Sequence, residues 1–178
     1  MIFKLLLAAC LCLGTAFNSV YDYSVPLIEG NSISVSEFSN KRILIITLPI
    51  VQDASADSLL YSLDTIAANH FDSLQVIAVP AYEDGYNIDI KSTLLQWYRS
   101  KLDNRIIITE GLYCRKSSTQ QHGLFHWLTH VEANGNFDNG ITGPGHKFFI
   151  RPGGILYGNL APHTRMWSKA VNKTINLP

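Results

Sequence analysis

Cysteine is scarce in this chain: of three among 178 residues, Cys10 and Cys12 stand near the start and Cys114 alone lies further on. A chain exported with a single cysteine forms no internal disulfide and cannot run a two-cysteine redox cycle by itself. Excess charge of one sign is also missing, since 14 basic and 14 acidic residues cancel. That balance removes the electrostatic footprint of a nucleic-acid or anionic-membrane partner. The sequence has no internal repeat, low-complexity linker, phosphate-cradling glycine loop, serine–histidine elbow or zinc-finger spacing, so no cofactor is indicated.

What is present begins with Lys4, the apolar run Leu5 to Leu13 and the small residues Gly14-Thr15-Ala16. A cationic start, a short apolar core and a small-x-small end read as a secretory signal peptide over residues 1–16, cleaved after Ala16. The run is too short to cross a bilayer, which leaves no transmembrane segment in the mature chain. Leu7-Ala8-Ala9-Cys10 resembles a lipobox, so lipidation at Cys10 is the alternative to simple cleavage. The expectation is an exported protein, periplasmic or secreted, whose residues 17–178 form one domain. With 47% apolar residues, that length suffices for one well-buried core.

The centre of the chain reads as a βαβ unit. Arg42 to Leu48 and Leu74 to Val79 are nearly continuous apolar runs, as in parallel strands covered on both faces. Between them, Leu59, Leu60, Leu63, Ile66 and Ala67 recur at helical spacing over about Asp53 to Asn69. Ligands of such sheets sit beyond the carboxyl ends of the strands, here Pro49–Asp53 and Ala81–Gly85. Before this unit, Ser19 to Ile28 and Ser32 to Val35 suggest a small hairpin. After it come a helix over Asn87 to Lys101 with Asp89 as its cap, a strand Asn104 to Thr109 and a helix Gln121 to Val131. A hairpin then joins Lys147–Ile150 to Ile155–Gly158, and Thr164 is placed to cap a last helix. The order implies a three-layer α/β fold with a mixed central sheet, helices on both faces and an N-terminal β-hairpin; a thioredoxin-like fold fits it.

From about Ser19 to Ile175 the sequence resembles the glutathione peroxidase family. The resemblance is carried by Ser19-Val20-Tyr21-Asp22-Tyr23, by Gly30 through Ile46, and by Val76 to Pro80 with Gly85. Further on, His122-Gly123-Leu124-Phe125-His126-Trp127-Leu128 and Lys147-Phe148-Phe149 with Tyr157 add to it. The family reduces peroxides with a cysteine or selenocysteine after the first core strand, assisted by a glutamine, a tryptophan and an asparagine. Carried over by position, these fall on Asp53, Glu83, Gly143 and Pro144, so the resemblance implies a site whose four catalytic residues are all replaced. An aspartate at a helix start is an anion, but it cannot form the sulfenate on which peroxide reduction by a thiolate depends. Asp53 reads more simply as an N-cap, and Glu83 as a solvated loop residue.

Two other constellations carry chemistry. Cys114 stands beside Arg115 and Lys116, cations that lower a thiol pKa, which would suit a divergent thiol-dependent peroxidase or oxidoreductase. His122, His126 and His130 recur every four residues, a spacing at which neighbours on a helix can share a metal ion. His122 and His130 would lie about 12 Å apart along the axis, so one ion takes an adjacent pair, with His146 or Cys114 as a further ligand. Asn172-Lys173-Thr174 is a glycosylation acceptor only in a eukaryotic secretory pathway. The leading reading is an exported glutathione-peroxidase-like protein without peroxidase activity that works as a binding or scaffold module. A Cys114 enzyme and a histidine-helix metal protein are its alternatives. Nothing in the sequence names the bound protein or small molecule, or the oligomeric state.

Overall fold

The structure is a computed structural model that describes residues 18–177; the expected signal peptide, its cleavage position at Ala16, and Cys10 lie outside them. Its centre is a five-stranded sheet in the order β5-β4-β3-β6-β7. Here β3 is Arg42–Leu48, β4 Leu74–Pro80, β5 Ile107–Ile108, β6 Lys147–Arg151 and β7 Ile155–Leu160. β3, β4 and β5 run parallel, while β6 and β7 join antiparallel through the turn after Arg151. The short strands β1 (Ser24–Pro26) and β2 (Ser32–Ser34) pair separately.

The apolar runs of β3 and β4 face cores on both sides, because successive side chains of a strand point to opposite faces. Leu44, Ile46 and Leu48 pack with α1 (Ala54–Asn69), α2 (Lys91–Lys101) and α5 (Lys169–Ile175). Ile43 and Ile45 point the other way, into a cluster with Val20, Cys114, Leu124, Phe125 and Leu128. The helix contributing Leu124 to Leu128 is α3 (Gly123–Thr129), followed after one residue by α4 (Val131–Asn134). Across α1 and α2, Asp57 accepts hydrogen bonds from Trp97 Nε1 at 2.8 Å and Lys101 Nζ at 3.0 Å, which hold its carboxyl below its usual range.

Four local expectations are corrected. The predicted opening strand begins instead as a 3-10 turn, Val20–Asp22, because Ser19 and Asp22 form a reciprocal capping box. Asn87, not Asp89, caps the next helical segment, its Oδ1 accepting from the Asp89 and Ile90 amides. The strand expected over 104–109 shrinks to two paired residues, with a single bridge from Leu27 to Thr109. The last helix starts after Ser168, whose Oγ accepts from Val171 N, and not at Thr164.

Candidate functional site

The carboxyl end of β3 and the chain before β6 are tied together at Thr47. The buried Thr47 hydroxyl donates to Gly143 O at 2.9 Å and accepts from His146 N at 3.0 Å, while Gly145 N donates to Thr47 O at 2.7 Å. Gly143 adopts φ +150°, in the region favoured by glycine. On the other side of the strand end, the buried Tyr98 hydroxyl donates to Pro49 O at 2.7 Å, fixing the loop that leads to α1. Gly143 and Pro144 are therefore held against the place where β3 gives way to that loop.

Asp53 lies at the start of α1, exposed, with its Oδ1 accepting from Ala56 N at 2.7 Å. That is the bond by which an N-cap satisfies an otherwise unpaired helix amide. Glu83 is not the free loop residue expected from the sequence. Its carboxylate accepts from Cys114 N at 2.8 and 3.0 Å and from Arg115 N at 2.8 Å, so it clamps the Cys114 segment to the loop after β4. Asp84 beside it accepts from Arg115 Nη2 at 2.5 Å. Among the described residues no hydrogen bond or ion pair joins Asp53 to Glu83: Asp53 caps its own helix, and Glu83 holds the Cys114 segment.

Cys114 is fully buried, and its thiol donates to Leu112 O at 3.3 Å. Burial, and after it the Glu83 and Asp84 carboxylates, push this thiol far above its usual range; Arg115 opposes them weakly. The cations beside Cys114 in sequence thus do not activate it, because Arg115 pairs with Asp84 and Lys116 with Asp138. A neutral, enclosed thiol is a poor nucleophile.

Next to Pro144 and Gly145 a cavity of about 500 Å³ opens between α1 and the 162–167 segment. Ser55, Ser58 and Ser62 supply hydroxyls on one wall, and Arg165 and Trp167 stand on the other. Apolar and hydrogen-bonding groups converge there as they do in ligand clefts.

The histidine series is split by the backbone. His122 is the N-cap of α3: its Nδ1 accepts from Leu124 N, and burial lowers its pKa. His126 and His130 are stacked, with centroids 4.0 Å apart and planes 10° from parallel. His130 itself is extended, at φ −118° and ψ 120°, so the single helix predicted through Val131 is broken and Val131 is exposed instead of packed. The two further ligands considered are committed elsewhere: His146 Nε2 pairs with Asn159 Oδ1 at 2.6 Å, and Cys114 is in the core. Glu132, which sequence spacing did not single out, comes within reach of the stacked pair, the ligand atoms of His126, His130 and Glu132 all lying within 4.8 Å of one another. Only the break between the two helices could have revealed it.

No protein-family model and no curated protein sequence matches the chain. Solved structures do. Trgpx in its apo form superposes with a TM-score of 0.64 at 17% identity, covering 90% of this chain and 98% of that one. T. cruzi GPX1 follows at 0.61 and 14% identity, with 89% and 97% covered. A secreted Mycobacterium tuberculosis disulfide oxidoreductase homologous to E. coli DsbE gives 0.56 at 10% identity, with 89% and 98% covered. The chain therefore has the thioredoxin-like fold, the one on which these glutathione-peroxidase-like and disulfide-oxidoreductase structures are built.

Proposed function

We propose that this is an exported glutathione-peroxidase-like protein that has exchanged peroxide chemistry for binding. The observation that carries the reading is Cys114, the single cysteine among the described residues, which is buried in the core and held as a neutral thiol. Peroxide reduction in this fold needs an accessible thiolate that attacks one peroxide oxygen, expels the other as water or alcohol, and is left as a sulfenic acid. The loop after β3 offers Pro49, Ile50, Val51, Gln52 and the capping carboxylate of Asp53, none of which can take that role. Binding would use the cavity beside Pro144, where the serines of α1 face Arg165 and Trp167.

The export half of the proposal rests on the leader-like residues 1–16, and a secreted neighbour of the same fold is consistent with it. Among the described residues no helix is long and apolar enough to cross a membrane.

The test is a peroxide assay on the chain from Phe17 onward, with hydrogen peroxide or an organic hydroperoxide and either glutathione or a thioredoxin system as reductant. Peroxide loss should match the protein-free rate. Thiol-dependent turnover that disappears in Cys114→Ser would overturn the proposal in favour of the Cys114 enzyme.

A further inference from the structure

We infer that His126, His130 and Glu132 form a surface site for a divalent transition-metal ion of the zinc class. The site lies at the junction of α3 and α4, away from the cavity invoked above, and does not depend on what that cavity binds.

The argument begins with the break in the backbone. Had α3 continued through residue 132, Glu132 would follow His130 by two positions, about 200° around the helix, and would point away from it. The extended His130 turns the chain and brings the Glu132 carboxylate back to the imidazoles. The turn is built in by Asn134, which is buried: the two hydrogens of its amide nitrogen are shared among Trp127 O, His130 O and Phe137 O, and its Oδ1 accepts from Asn136 N and Phe137 N. Asn134 thus bridges both short helices and the loop after them, so the ligand-bearing backbone is held before any ion arrives.

The orientation of the rings supplies the second step. His130 Nδ1 lies 3.0 Å from both His126 O and Thr129 Oγ1; the carbonyl can only accept and the Thr129 proton goes to Phe125 O, so the tautomer that satisfies all three carries its proton on Nδ1 and leaves Nε2 its lone pair. A backbone carbonyl on the non-ligating nitrogen is the usual support of a metal-binding histidine. Stacked rings hold their in-plane lone pairs side by side, and a small splay brings both onto one ion. Two nitrogens about 2.0–2.1 Å from a tetrahedral zinc stand about 3.3 Å apart, a modest adjustment from ligand atoms already within 4.8 Å.

Charge favours a cation here. Among the described residues Glu132 has no ion-pair partner, and Lys116 is taken up by Asp138 at 2.6 Å. Asp138, which accepts that Lys116 hydrogen bond, stands near His130 and places a second carboxylate in the neighbourhood. Two imidazole nitrogens are borderline donors, and with one carboxylate oxygen they make a set that suits zinc and its neighbours over calcium or magnesium, which take oxygen ligands. Three protein ligands leave a fourth position open to water or a bound group.

The experiment is calorimetric titration of tag-free chain from Phe17 onward with Zn²⁺ alone, repeated with Co²⁺ for its visible ligand-field bands. One equivalent should bind, the Co²⁺ spectrum should be tetrahedral, and the melting temperature should rise with metal concentration. His126→Ala and Glu132→Gln, both at exposed positions, should each weaken binding at least tenfold, whereas His163→Ala should leave it unchanged. Substoichiometric binding, or equal losses from His163→Ala and His126→Ala, would overturn the assignment. Peroxide turnover is not read in this experiment, so the two proposals fail independently.

Discussion

Lys147 shows how far one residue can depart from its usual behaviour. It is fully buried in β6, with its Nζ donating to Gly145 O, and burial lowers its pKa from 10.5 to about 8. The folded state thus disfavours the charged form. Below about pH 8 both folded and unfolded chains carry the proton and the penalty is complete. Between about pH 8 and 10.5 the unfolded chain binds more protons than the folded one, so this contribution to stability rises with pH. Cys114 and the tyrosines Tyr86 and Tyr98, whose pKa values are pushed up by burial, act in the opposite sense at alkaline pH. Comparing Lys147→Met with the parent cancels those contributions. The stability difference between the two should shift by about 3 kcal/mol in favour of the parent from pH 7.5 to 10.5; a difference flat with pH, read from urea unfolding, would show that Lys147 stays charged.

Glu83 also departs from its expected behaviour. Its sequence neighbours suggest a solvated turn, yet three hydrogen bonds to two backbone amides make it a structural clamp. The amides it satisfies are 31 and 32 positions away, a separation that local pattern does not reach.

At the scale of elements, the contrast lies between α1 and α3. α1 was legible because its apolar residues recur over sixteen positions and Asp53 precedes them with a capping side chain. The cap is the observed role of Asp53, and it predicts that Asp53→Ala costs about 1 kcal/mol in denaturant unfolding. Asp53→Asn or Asp53→Ser should retain most of that stability. If Asp53→Ala were neutral, the Ala56 hydrogen bond would contribute nothing measurable. α3 defeats the same reading. The apolar pattern continues into Val131, but Thr129 Oγ1 donates to Phe125 O at 2.7 Å and Asn134 collects the carbonyls that a longer helix would have used. Side chains that bond to nearby backbone compete with helix continuation, and here they end it.

For the whole molecule, one sheet separates two cores, and every central strand contributes to both. Neither face can be opened without exposing the back of the other, which favours a single cooperative transition. Cys114 reports on one face and the helices α1 and α2 on the other. Alkylation of Cys114 should therefore be negligible in the native protein and appear at the same urea concentration at which far-UV ellipticity is lost. Labelling at lower urea would mean that the Cys114 face opens separately.

The sequence by itself determined the βαβ centre, the antiparallel β6–β7 hairpin and the two-sided burial of β3. Those features follow from periodicity and turn chemistry, which act over a few residues. It determined equally that the loop between β3 and α1 holds no cysteine. Only the tertiary structure decided that Cys114 is enclosed, that Glu83 clamps its segment, and that Glu132, with His122 turned to capping, joins His126 and His130. Each of these depends on distant chain being brought together or on a helix ending early. The free energy that decides such placements lies in burial and in satisfying particular backbone groups, and neither leaves a period in the sequence.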